Sequence, residues 1–197
     1  MNIMERTFSD AIYLKSKFYY LILFLILISL SGCSAAKSGR TMFNIHESGP
    51  QVIVEPDSIS LGVATLLGTE VVFTGKGFMP QDSVNIKLLP VKQDKTLAVN
   101  SIPIATGYTD RQGNFSAKIK KLIKISELLK ADVKLNENME PIVIVDSLPI
   151  SEGVYVVQVE SLNYDSIAKD KLTFKNPDFK DRLKDQIGEA RGLIVRR

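Results

Sequence analysis

Two side-chain types that commonly act as nucleophiles or metal ligands occur once each in this chain, as Cys33 and His46. One cysteine excludes an internal disulfide framework, and one cysteine with one histidine cannot build a Cys/His zinc site. His46 lies in a small, polar stretch without a framework to hold it beside a serine, and no G-x-S-x-G elbow occurs. Asp165 and Asp170 could be imagined as a carboxylate pair, but nothing in their spacing selects them. Asp110, Gly113 and Asn114 supply too few oxygens for calcium, which wants six or more, and read instead as a hairpin turn. Gly75-Lys76-Gly77-Phe78 lacks G-x-x-x-x-G-K-[ST] and any following helix, so it reads as a turn rather than a phosphate cradle. No catalytic, cofactor-binding or metal-ligating set is therefore expected. The chemistry that remains belongs to the thiol in Leu30-Ser31-Gly32-Cys33. Small residues beside a cut suit a protease, and a thiol there can be acylated first.

What must position that thiol is the segment before it. Arg6, Lys15 and Lys17 precede an apolar run from Phe18 to Leu30. A helix of that length rises about 20 Å, short of the ~30 Å hydrocarbon core. A basic front, a short apolar middle and a small-residue exit form the pattern of a secretory signal. The alternative is an uncleaved signal anchor with an incidental Cys33; Glu5 and Asp10 in the front region favour it, and Met4 is a second candidate start.

Leu30-Ser31-Gly32-Cys33 resembles the bacterial lipoprotein lipobox. The resemblance implies a diacylglyceryl thioether on Cys33, cleavage before it and acylation of the new N-terminus. Each buried methylene contributes about 0.8 kcal/mol, so one chain holds a protein marginally and two or three hold it stably. Ser34 follows, where an aspartate commonly signals retention in the inner membrane. The resemblance therefore implies the outer membrane in a two-membrane bacterium, and the outer face of the sole membrane otherwise. The expected organisation is a signal peptide over 1–32, a lipidated N-terminus and tether over 33–50, a β domain over 51–175, and a C-terminal helix and tail over 176–197.

After Pro50, runs rich in Val, Ile, Phe and Thr recur between turn signals. Strands are expected at Gln51–Pro56, Thr69–Gly75, Ser83–Val91, Ile102–Thr109, Asn114–Lys120, Pro141–Ser147, Gly153–Ser161 and Ala168–Lys175. Val84, Ile86 and Leu88 alternate with Asn85 and Lys87, and Tyr155, Val157 and Val159 oppose Val156, Gln158 and Glu160. One-sided burial of this kind belongs to antiparallel sheets and favours a sandwich. Lys124–Leu135 interrupts the rhythm with Ile125, Leu128, Leu129 and Val133 on one stripe, which predicts a short inserted helix. A second helix is expected from Asn176 as N-cap, with Pro177 first, Gly192 as its stop and an apolar stripe of Phe179, Leu183 and Ile187. Such a stripe normally packs on its own domain. The final Leu193–Arg197 reads as frayed or as a last edge strand.

Gly68–Leu88, with Gly75-Lys76-Gly77-Phe78, resembles bacterial immunoglobulin-like domains, including the group shared by plexins and transcription factors. Tyr108–Ile119 and Ser151–Ser161 resemble later strands of the same domains; the Cys…Trp…Cys core of antibody domains is absent. The resemblance implies an all-β, Ig-like antiparallel β-sandwich. The formal charge of +3 comes from 25 basic and 22 acidic residues spread along the chain, with no basic stripe to engage nucleic acid. The expected role is a non-catalytic envelope lipoprotein, held at the membrane by its lipid, whose sandwich meets a protein partner. The alternative is a module for carbohydrate or peptidoglycan, with Tyr108, Tyr155 and Tyr164 as its platform. A hydrolase ranks third, for want of a nucleophile and base.

Overall fold

The structure is a computed structural model and describes residues 42–44, 46, 48–91 and 101–197. The expected signal segment 1–32, the lipobox-like Leu30, Ser31 and Gly32, the expected lipidation site Cys33 and the sorting position Ser34 lie outside the described residues. The described chain is mostly β and forms three sheets.

The first sheet joins β1 (Gln51–Glu55), β3 (Val72–Lys76) and β6 (Phe115–Lys118) in the order β1-β3-β6, all antiparallel. The second takes β2 (Ser58–Ser60), β4 (Ser83–Pro90), β5 (Ile102–Tyr108), β9 (Gly153–Ser161) and β10 (Ile167–Lys175) in the order β2-β10-β9-β4-β5. Only β2 runs parallel to its neighbour there, with Phe174 opposite Ile59. The third sheet has β7 (Asp132–Leu135) antiparallel to β8 (Pro141–Val145), and β11 (Ile194–Arg196) parallel to β8.

Alternation decides which face of each strand is dry. Val84, Ile86 and Leu88 are fully buried, as are Val157 and Val159 across the β4–β9 register. The opposite face carries Lys87 and Glu160 as an ion pair at 2.7 Å. Phe73 from β3 and Leu172 and Phe174 from β10 add to the interior, a sandwich-like core built between the first and second sheets. Phe78 folds beneath the first sheet edge-on to Phe115, with ring centroids 5.4 Å apart. Gly77 makes that turn with φ of +77°, where a Cβ would meet the Gly49 carbonyl oxygen at 2.5 Å.

All eight expected strands exist within a few residues of their expected bounds. Several expectations are corrected. Short α1 (Val63–Gly68) precedes β3, which starts at Val72 rather than Thr69, because Val63 and Leu66 bury themselves under the sandwich. The inserted helix covers less than Lys124–Leu135: α2 (Lys121–Ile123) runs on into a π-helical turn, Lys124–Leu128. Ile125, Leu128 and Leu129 are buried as their stripe requires, but Lys130 adopts a left-handed φ of 52° and ends the helix. Val133 and Leu135, freed from it, form β7 and stay exposed. The C-terminal helix, α3 (Phe179–Ala190), is capped by Asp178 rather than Asn176. Its Asp178 and Asp181 make a reciprocal capping box, the Asp181 N–H reaching Asp178 Oδ1 at 2.8 Å. Of the two readings of the tail, frayed or a last edge strand, the strand is present as β11.

Candidate functional site

The largest departure from expectation is the orientation of α3. Its apolar residues do not pack on the domain: Phe179 is 79% exposed, Leu183 47% and Ile187 46%. The face turned inward is acidic, with Asp181 and Asp185 buried. The reason lies in α1, whose N-cap is Gly62 and carries no side chain to satisfy the first amides. Asp185 does so from a distance. The Val63 N–H donates to its Oδ2 at 3.1 Å and the Ala64 N–H to its Oδ1 at 2.8 Å. Arg196 from β11 donates to Asp185 Oδ2 at 2.9 Å and to Glu189 Oε1 at 2.6 Å. The Thr65 hydroxyl donates to Asp181 Oδ1 at 2.6 Å. A Cβ on Gly62 would come within 2.9 Å of the Asp181 Cβ, so the bare glycine also provides the room. Burial pushes the Asp181 carboxyl up, yet hydrogen bonds from Ser60, Thr65 and the Asp178 backbone outweigh it and hold it below its ordinary value.

A helix docked this way leaves its apolar stripe in solvent, between exposed cations. Lys180, Lys184 and Arg191 lie along one border and Arg182 along the other, all exposed. Asp181 and Asp185 are turned inward, Asp178 is engaged in the N-terminal cap, and Glu189 is paired with Arg196. Lys184 Nζ donates to the Thr65 hydroxyl at 3.2 Å, which leaves Lys180, Arg182 and Arg191 as the charges beside the stripe.

The other residues singled out in the sequence fall into structural roles. His46 is exposed, its N–H bonded to Asn44 Oδ1 at 3.0 Å. Asp110 Oδ1 accepts the N–H groups of Gln112 and Asn114 at 2.8 and 2.9 Å, as a hairpin turn requires. Asp170 accepts the Val54 N–H at 2.9 Å, tying β10 to β1, while Asp165 lies exposed on the loop before β10. Tyr108 and Tyr164 are exposed, but Tyr155 is not a platform residue: it is buried edge-on against Phe174, with centroids 5.2 Å apart. Among the described residues no group of three or more histidine, cysteine, aspartate or glutamate side chains could hold a metal ion. Likewise, no helix is long and apolar enough to cross a membrane.

Two further ionisable groups are buried without a signal in the sequence. Asp82 is 1% exposed and accepts from the Ser83 N–H at 2.8 Å, from Asn163 Nδ2 at 2.7 Å and from the Ser161 hydroxyl, which locks β4 to the loop after β9. Burial pushes its carboxyl up, but those donors prevail and hold it down. Lys124 is 2% exposed in the π-helical turn and donates to the carbonyls of Leu66, at 3.0 Å, and Thr69, closing the C-terminal end of α1. Burial pushes its ammonium down and repulsion from Lys121 adds to this, against the attraction of Glu70. Both groups spend their polar atoms holding the fold.

A depression of about 580 Å³ opens between Met42–Asn44, the start of β1 and Ile167–Lys169 of β10. It lies at the pole of the sandwich where residues 42–44 meet the domain; α3 follows the other end of β10.

No family model and no curated protein sequence matches the chain. Among solved structures it is similar to macromomycin, at a TM-score of 0.35 and 15% identity over 64% of this chain and 100% of that one. It is also similar to a β-glucosidase from Listeria innocua solved with glucose, at a TM-score of 0.29 and 11% identity over 64% of this chain and 16% of the enzyme's. Likeness at this level bears on neither fold family nor activity.

Proposed function

We propose that this chain is a lipid-anchored protein of the bacterial cell envelope, in the outer membrane if the host has two membranes, whose non-catalytic β-sandwich serves protein–protein interaction or structural support. The observation that carries the reading is Leu30-Ser31-Gly32-Cys33 at the end of a short apolar run with a basic front. The perturbed buried groups fit a non-catalytic role, since Asp82, Asp181 and Lys124 already have their polar atoms engaged by the fold.

The sandwich itself is proposed to be immunoglobulin-like. Reading the first sheet as strands A, B and E and the run β4, β9, β10 as C, F and G matches the division of strands between the two sheets of that fold. Tyr155, near the start of β9, supports this: its hydroxyl donates to the Ser151 carbonyl at 3.0 Å, the arrangement of a tyrosine corner. Val157 then stands where antibody domains carry their second cysteine, and it is fully buried. A glycan platform loses Tyr155 to the core and is less well supported.

The test is Cys33→Ala. The wild-type protein is expected in the membrane fraction, with an intact mass that shows an acylated Cys33 as first residue; the variant is expected to leave that fraction or keep its leader. A wild-type protein with the leader attached and a bare thiol would overturn the reading.

A further inference from the structure

We propose that the outward face of α3 is a second membrane contact, one that lies on an anionic bilayer surface. The proposal rests on the lipid-anchor reading above. Phe179, Leu183 and Ile187 fall within about 80° of arc at 3.6 residues per turn, and all three are exposed. Lys180, Lys184, Arg191 and Arg182 border that arc, while Asp181 and Asp185 are held inside by α1 and β11. A stripe of Phe and Leu framed by Lys and Arg is the composition of a helix that lies in the interface and meets anionic headgroups. Protein interfaces also set an apolar centre inside a polar rim, but a rim supplied here by Lys180, Arg182 and Arg191 is complementary to anionic headgroups, and the bilayer surface matches both stripe and rim.

The stripe is too small to hold the protein by itself, because interfacial binding scales with buried apolar area. The anchor removes that requirement. Once lipid holds Cys33, contact by α3 is intramolecular, and its effective concentration is set by the intervening chain. Eight residues separate Cys33 from Met42, a reach of about 30 Å when extended. β10 runs a similar distance, about 30 Å for nine residues, from the depression beside residues 42–44 to the segment leading into α3. The two lengths are comparable, so a tether of that span is long enough for α3 to touch the surface that carries the lipid.

The chain contains no tryptophan, so Leu183→Trp gives a single depth probe on the stripe, and Ile187→Trp a second should the first misfold. The full lipidated chain is reconstituted into vesicles of phosphatidylcholine alone or with phosphatidylglycerol. Emission is expected to shift to the blue and to be quenched by brominated acyl chains only in the anionic vesicles. Lys180→Gln and Arg191→Gln should each lower the engagement constant about five-fold, the effect of one charge near an anionic surface. A chain that floats with both vesicles while its tryptophan stays water-exposed overturns the proposal and spares the anchor. A blue shift that grows with protein concentration in lipid-free detergent gives the stripe to a second copy, and likewise overturns it. A chain that does not float with neutral vesicles overturns the anchor reading and this proposal together.

Discussion

The sandwich interior and the C-terminal helix are held by opposite means. Between the first and second sheets, Phe73, Leu172, Phe174, Ile86 and Val157 are withdrawn from water and carry no polar atom in their side chains. Between α3 and α1 the apolar side chains are left outside, and carboxylates meet backbone amides and an arginine. Burial without direction suits the first region, because stacked sheets offer broad apolar faces. The second offers one turn and a half of helix with bare amides at its start, and charge-assisted hydrogen bonds satisfy these more specifically than methyl groups could. An amphipathic helix thus need not bury its apolar side when a neighbour presents unsatisfied donors.

The contrast can be broken at several strengths. Phe73→Ala should cost most, about 3–5 kcal/mol for a buried phenylalanine replaced without collapse, read as a lower midpoint in urea unfolding. Next comes Asp185→Ala, which strands the amides of Val63 and Ala64 and frees Arg196; about 2–3 kcal/mol is expected, from the same titration. Acid sharpens the comparison further. The folded-state pKa of Asp181 lies below its ordinary 3.8, so its contribution is present above that value and is lost as pH falls through the folded pKa. Asp181→Asn should be less stable near neutrality, and its urea midpoint should fall less steeply than that of the wild type between about pH 4 and 2. The smallest effect belongs to Leu183→Gln and Ile187→Gln, each expected to leave stability within about 0.5 kcal/mol. A loss as large as that of Asp185→Ala at either site would mean that the stripe is packed after all.

Legibility in the sequence divided along the same line. Strand positions were readable because burial on one face imposes a period of two, as in Val84, Ile86 and Leu88, and that period survives whatever neighbour the strand acquires. The extent and orientation of helices were not. Ile125, Leu128 and Leu129 were rightly placed inside, yet Val133 belongs to a strand, because pairing with Val143 of β8 outcompetes another helical turn. For α3 the period was correct and the direction was not. Phe179, Leu183 and Ile187 announce a face, but whether that face is turned in depends on Gly62, far away in sequence, lacking a cap. Asp181 and Asp185, spaced four apart opposite the stripe, were the available signal, and it gains meaning only beside α1. Asp82 and Lys124 were hidden for the same reason, since their partners lie on other elements.

Amide hydrogen exchange at Val63 and Ala64 tests the inverted docking of α3 most directly, because these are the donors that Asp185 holds. Both amides should exchange slowly in the wild type, quickly in Asp185→Ala, and slowly still in Leu183→Gln. Fast exchange in the wild type, or protection lost through Leu183→Gln, would contradict the account.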